Sequence, residues 1–164
     1  MHTNRRLRHS SIAGVIGCAA IGGVGYAADT ATQDVDITVQ AVNEISVGAA
    51  VTLNVNSATA GVSPTGVASS TYSITTNSAT SKKITAQLTS ALTAGLSLSA
   101  NLQAPSTGTS AGAVVLSTTA SDAVTSIEAV AATGLTISYS ATATVAVAPN
   151  TYTAEVTYTI VNDS

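Results

Sequence analysis

Apolar and polar residues alternate through most of this chain. In "DVDITVQAV", Val35, Ile37, Val39 and Ala41 fall on one face, and Asp34, Asp36, Thr38 and Gln40 on the other. Alternation of this kind, rich in β-branched residues, predicts a strand. "ISVGAAVTLNV" keeps Ile45, Val47, Val51, Leu53 and Val55 in phase, with Gly48 as a bulge or bend. "SATAGVSPTGVAS" reads as a loop. "TYSITTNSATSKKITAQL" predicts a hairpin, with Tyr72 and Ile74 inward on its first strand and Ile84, Ala86 and Leu88 inward on its second. Leu96, Leu98, Ala100 and Leu102 line the next strand, "APSTGTSAG" is a second loop, and "AVVLSTT" follows. In "SDAVTSIEAVAA", Val124, Ile127 and Val130 have near-helical spacing behind a Ser121 cap, which predicts a short helix. Leu135, Ile137, Tyr139, Ala141, Ala143, Val145 and Val147 form a long strand. Pro149 and Asn150 turn the chain, and the last strand carries Tyr152, Ala154, Val156, Tyr158 and Ile160 inward.

About seven to nine strands at this spacing, with at most one short helix, predict an all-β fold: an immunoglobulin-like antiparallel β-sandwich. No internal repeat and no dividing linker is visible beyond the first segment.

That first segment has a different composition. "MHTNRRLRH" is basic, "SSIAGVIGCAAIGGVGYA" is apolar and rich in Gly and Ala, and Gly25, Tyr26 and Ala27 supply a small-X-small end. The pattern is that of a secretory signal peptide, residues 1–27, with cleavage after Ala27. As a membrane anchor the run is short and weak, because Gly and Ala contribute little transfer energy. Val15, Ile16, Gly17 and Cys18 loosely resemble a lipoprotein cleavage box, yet the residues after Cys18 stay apolar through Val24, where a polar tether would follow. Cys18 is therefore read as part of a discarded leader.

Without the leader the chain has no Cys, His, Arg, Trp, Phe or Met. Its formal charge is near −6, eight acids against Lys82 and Lys83. An acidic, arginine-free chain is a poor partner for nucleic acid or an anionic membrane. An exported domain without cysteine must be held by sheet hydrogen bonds and packing, not disulfides. Chemistry is equally restricted. Without His or Cys there is no ordinary nucleophile–base pair and no zinc or copper site, and no glycine-rich phosphate loop opens a helix. The few acids are scattered, so a two-carboxylate glycosidase site is not indicated. The expectation is a non-enzyme without cofactor or metal. Asp34 and Asp36 read as a solvated strand face, since calcium needs six or more oxygens. The tyrosines beyond the leader read as core and edge packing.

Lys82 and Lys83 stand side by side at the mouth of the predicted hairpin. Lysines at strand ends discourage edge-to-edge pairing. The second reading makes them intersubunit counter-ions to an acidic segment of a neighbour.

"TTNSATSKKITAQL", together with "DITVQAV", "VVLSTTASDAV" and "APNTYTAEVTYTI", resembles the major subunits of class-five (alpha-type) colonisation-factor fimbriae, with the blocks in matching order and spacing. Other secreted filament-forming subunits share this look. The resemblance implies a structural subunit of an extracellular fimbria or pilus-like filament, serving adhesion or biofilm. It implies polymerisation by donor-strand exchange, in which each subunit lends its N-terminal strand to a neighbour. Its partners would be copies of itself, a dedicated assembly chaperone and an outer-membrane assembly protein. On that reading residues 28–42 are the donor strand, with Val35, Ile37, Val39 and Ala41 as its interface, and residues 43–164 are the sandwich. From the residues alone, "TATQDVDITVQAV" is equally an ordinary first strand. The competing expectation is a monomeric secreted or cell-surface module that binds a glycan or protein through loops at residues 59–69 or 103–112.

Overall fold

The computed structural model describes residues 30–56 and 59–164. The leader expected at residues 1–27 lies outside them. Two units are present, residues 1–37 and residues 38–164. In the first, the described residues 30–37 form no helix or strand and are exposed.

The second unit is a β-sandwich of two antiparallel sheets. Its strands are β1 (Asn43–Val47), β2 (Thr65–Thr76), β3 (Lys82–Leu88), β4 (Leu96–Leu102), β5 (Thr109–Ser110), β6 (Ala113–Val115), β7 (Ser121–Ile127), β8 (Val130–Ala143) and β9 (Val156–Asn162). One sheet runs β1-β2-β8-β4-β6 and the other β5-β7-β3-β9. Tyr72, Ile74, Ile84, Leu102, Val124, Ile127 and Ile137 are fully buried between them. The inward sets predicted for β2, β3 and β4 fill this core, except Leu96 of β4, which lines the cleft described below: where alternation is strict, one face of each strand is apolar and closes against the other sheet.

Several local expectations are corrected, among them the last strand, which begins at Val156 and does not include Tyr152 or Ala154. The residues around Lys82 do not form a hairpin. β2 and β3 lie in different sheets, so residues 77–81 arch across the sandwich. The helix expected at residues 121–132 is instead β7 and the start of β8. The register of β7 against β3 shifts twice, between Lys82 and Ile84 and between Ile84 and Thr85, and Ser126 has φ 57°. These irregularities bury Ala123, Val124 and Ile127 together and imitate a helical interval. The long strand expected to reach Val147 stops at Ala143, because its ladder partners begin at Thr65 on β2 and Leu96 on β4. The loop expected through Ser69 ends earlier, at β2's first residue, Thr65.

"DVDITVQAV" forms no strand. Pairing of β1 with β2 begins at Asn43↔Thr76, and β2 ends there, so residues upstream have no ladder to join. The following segment is strand only over Asn43–Val47. Beyond it Gly48 N–H still donates to the Thr71 carbonyl at 2.7 Å, but the Ala49 carbonyl takes its bond from the Ser70 hydroxyl at 3.4 Å instead of from a ladder.

Candidate assembly site: a free sheet edge beside an apolar cleft

β9 pairs with β3 along its whole length, from Lys82↔Asn162 to Leu88↔Val156. Its other edge pairs with no strand among the described residues. The edge of the facing sheet beside it is β1. In a constant-type immunoglobulin sandwich the sheets run A-B-E-D and C-F-G. By pairing order, β1-β2-β8-β4 fall on A-B-E-D and β3 and β9 on C and F. No described strand falls on G, the position that would cover the free edge of β9.

A cleft of about 1370 Å³ opens there, between the walls formed by residues 47–56 and 143–156. Leu53, Val55, Leu92, Val147, Tyr152 and Val156 give it an apolar lining. Leu53, Val55, Leu92 and Val156 are half-buried against the core, so the cleft reaches to the core's side. Its size exceeds the usual 300–1,000 Å³ of a small-molecule pocket and suits a length of polypeptide.

Two glycines seat the walls. A Cβ at Gly66 would stand 2.7 Å from the Asn54 carbonyl oxygen, so only glycine lets the first wall cross β2 there. Gly95 has φ +89° and accepts the Thr144 N–H at 2.8 Å, holding the second wall where β8 ends. That wall is braced internally: Tyr152 hydroxyl donates to the Ala148 carbonyl at 2.8 Å.

Tyr139 of β8 and Tyr158 of β9 join the sheets at the cleft through a 2.8 Å hydroxyl–hydroxyl bond. Burial raises the Tyr158 pKa strongly, and the Tyr139 hydroxyl adds to it, so this phenol stays neutral. Tyr72 donates to the Gln103 carbonyl at 2.6 Å and is pushed up to about 12 by burial.

The interface residues expected on the N-terminal arm are exposed. Val35 is 72% exposed, Ile37 83% and Val39 78%, which is unusual for three large apolar side chains in one short segment. Ala41 is exposed as well. The lysines are engaged within the same chain. Lys82 donates to Asn162 Oδ1 at 2.5 Å, tying β3 to β9. Lys83 pairs with Asp122 of β7 at 3.1 Å. Among the described residues no three His, Cys, Asp or Glu side chains gather into a metal-binding group.

Sequence reading missed the cleft. Its walls alternate like strands, and their lack of partners depends on where distant strands end. Compared with protein-family models, curated proteins and solved structures, the chain matches none.

Proposed function

We propose that this protein is a structural subunit of an extracellular filament, and that it polymerises by lending the apolar face of its N-terminal arm, Val35, Ile37 and Val39, to a neighbour's β9 edge and cleft. The observation that carries this is the arm itself: an alternating apolar segment, unpaired and exposed, in a chain whose sandwich keeps an apolar cleft beside a free sheet edge. Each half explains the other. A strand added to β9 would satisfy backbone groups on both sides. Val35, Ile37 and Val39 would leave water, each worth about 1.5–3 kcal/mol when fully buried. Asp34, Asp36 and Thr38 would remain on the solvent face, since successive side chains alternate. The leader-like residues 1–27 and the fimbrial resemblance of the sequence blocks support an exported polymer, with copies of the same chain as partners and adhesion or biofilm as its setting.

Size-exclusion chromatography and negative-stain microscopy of the secreted protein test this. Fibres or a ladder of SDS-resistant multimers are expected. Ile37→Asp should abolish them, because a carboxylate would enter an apolar cleft at a cost of several kcal/mol. Thr38→Asp, one residue along, should leave them intact. Equal tolerance of both changes in assembling protein overturns the donated arm. A stable monomer in every condition favours instead a module that binds through its loops.

A further inference from the structure

Asn77 follows the last residue of β2 and grips the chain just ahead of β1. Its Oδ1 accepts the Val42 N–H at 2.8 Å, and its Nδ2 donates to the Gln40 carbonyl at 2.7 Å. Its own N–H donates to the Val42 carbonyl at 3.2 Å. One residue thus holds residues 40–42 against the end of β2. We propose that Asn77 is the positioning residue for strand donation: it stops the arm from folding back onto its own β9 edge and leaves arm and cleft to neighbouring copies. This rests on the donated-arm reading above.

The reach of the chain supports it. The end of β9 lies at the same end of the sandwich as Asn77, because residues 77–81 lead directly into β3, Lys82 is the register partner of Asn162, and Asp163 N–H donates to the Ser81 carbonyl at 3.0 Å. At about 3.3 Å per residue, Tyr158 stands about 13 Å and Val156 about 20 Å up the strand from Asn162. A turn through residues 40–42 would send the arm up beside β9, with Ile37 about 10 Å and Val35 about 17 Å along, near the levels of Tyr158 and Val156. With residues 40–42 held, the turn must come earlier. It then consumes Val39 and Ile37, starts about 10 Å lower, and leaves Val35 below the level of Asn162. The arm's apolar set can fill a cleft only in another molecule. An interface of that kind is heterologous, and it propagates as an open filament unless its rotation closes a ring.

The test uses the full exported chain with Cys18→Ser, Thr38→Cys and Thr157→Cys. Both new thiols sit on outward positions, one on the arm and one on β9. A short bis-maleimide joins them, and mixed isotope-labelled and unlabelled protein separates interchain from intrachain products by peptide mass spectrometry. With Asn77 present, interchain products should dominate. Asn77→Ala should raise the intrachain share about tenfold at little-changed melting temperature, the factor that corresponds to 1.4 kcal/mol. Asn77→Asp keeps the acceptor for Val42 but loses the donor to Gln40, and should fall between. If the alanine protein does not fold, the aspartate comparison decides. Interchain products with an unchanged intrachain share in the Asn77 variants would overturn the role of Asn77 and leave arm donation standing. Absence of any product joining positions 38 and 157 would overturn both.

Discussion

At the scale of single residues, the polar side chains of this sandwich are satisfied locally. Thr76, the buried polar residue of β2, donates to Asn43 Oδ1 at 2.8 Å and accepts the Ser78 N–H at 3.2 Å. The Asp122 side chain is 45% exposed and that of Lys83 18%, so water still reaches the pair from the Asp122 side, and ion pairs open to solvent contribute about 0–1 kcal/mol. Replacing both lysines, Lys82→Gln with Lys83→Gln, should therefore change the chemical-denaturation midpoint slightly and leave fibre formation intact by microscopy. Loss of fibres from protein that still folds would place the lysines at the subunit interface. The tyrosines give a pH prediction. Tyr72 is raised to about 12 from an ordinary 10.0, and Tyr158 also moves up. A group whose folded pKa is raised adds stability that is complete below its unfolded pKa and lost as pH climbs through the folded one. Melting temperature should be insensitive to these groups up to about pH 10 and fall between about 10 and 12. Tyrosinate absorbance should rise together with unfolding. Ionisation of all the tyrosines well before unfolding would contradict the burial of Tyr72 and Tyr158.

At the scale of elements, β7 shifts register twice against β3, and Ser126, with its left-handed backbone, lies within the first shift. A left-handed backbone costs a residue with a Cβ roughly 1–2 kcal/mol, and glycine avoids that cost while losing more entropy on folding. Ser126→Gly should thus raise stability by up to about 1 kcal/mol, whereas Ser126→Val should lower it by more than that, because a β-branched side chain resists this conformation. Thermal denaturation of the two variants checks the order, and a stabilised valine variant would contradict it. The same element shows where sequence reading loses its grip. Alternation identified the inward faces of β2, β3 and β4, since a regular strand with one buried face must alternate. In β7 the bulges reset the period, and Val124 and Ile127 imitated a helix. Strand ends were equally hidden. "SATATVAV" alternates without a break, yet β8 stops at Ala143 because β2 and β4 supply no partner beyond it. The arm's apolar face was legible from Val35, Ile37 and Val39. Its lack of a partner was not, because that depends on β2 ending at Thr76, which no local pattern announces. Asn77 was hidden for the same reason: an asparagine in a polar turn looks ordinary until the chain it grips is known.

At the scale of the molecule, the proposed donor arm and the cleft are separately encoded, and this separation can be tested directly. Residues 38–164 contain the sandwich, its core and the Asn77 grip on residues 40–42. A chain lacking residues 28–37 should therefore fold while keeping its cleft open, and it should no longer propagate fibres. A synthetic peptide of residues 28–42 would then act as a ligand for the folded state alone. At a hundredfold excess over its dissociation constant, such a ligand adds about 2.7 kcal/mol. In a domain of this size that corresponds to roughly a 10 °C rise in melting temperature. The peptide with Ile37→Asp should give no rise, and the peptide with Thr38→Asp should give nearly the full one, because only the former points toward the core. If the truncated chain melts at the same temperature with and without the unmodified peptide, the cleft does not accept the arm. If the truncated chain is instead unfolded and no peptide restores it, residues 28–37 serve the stability of their own subunit, and the filament reading gives way to a self-contained sandwich.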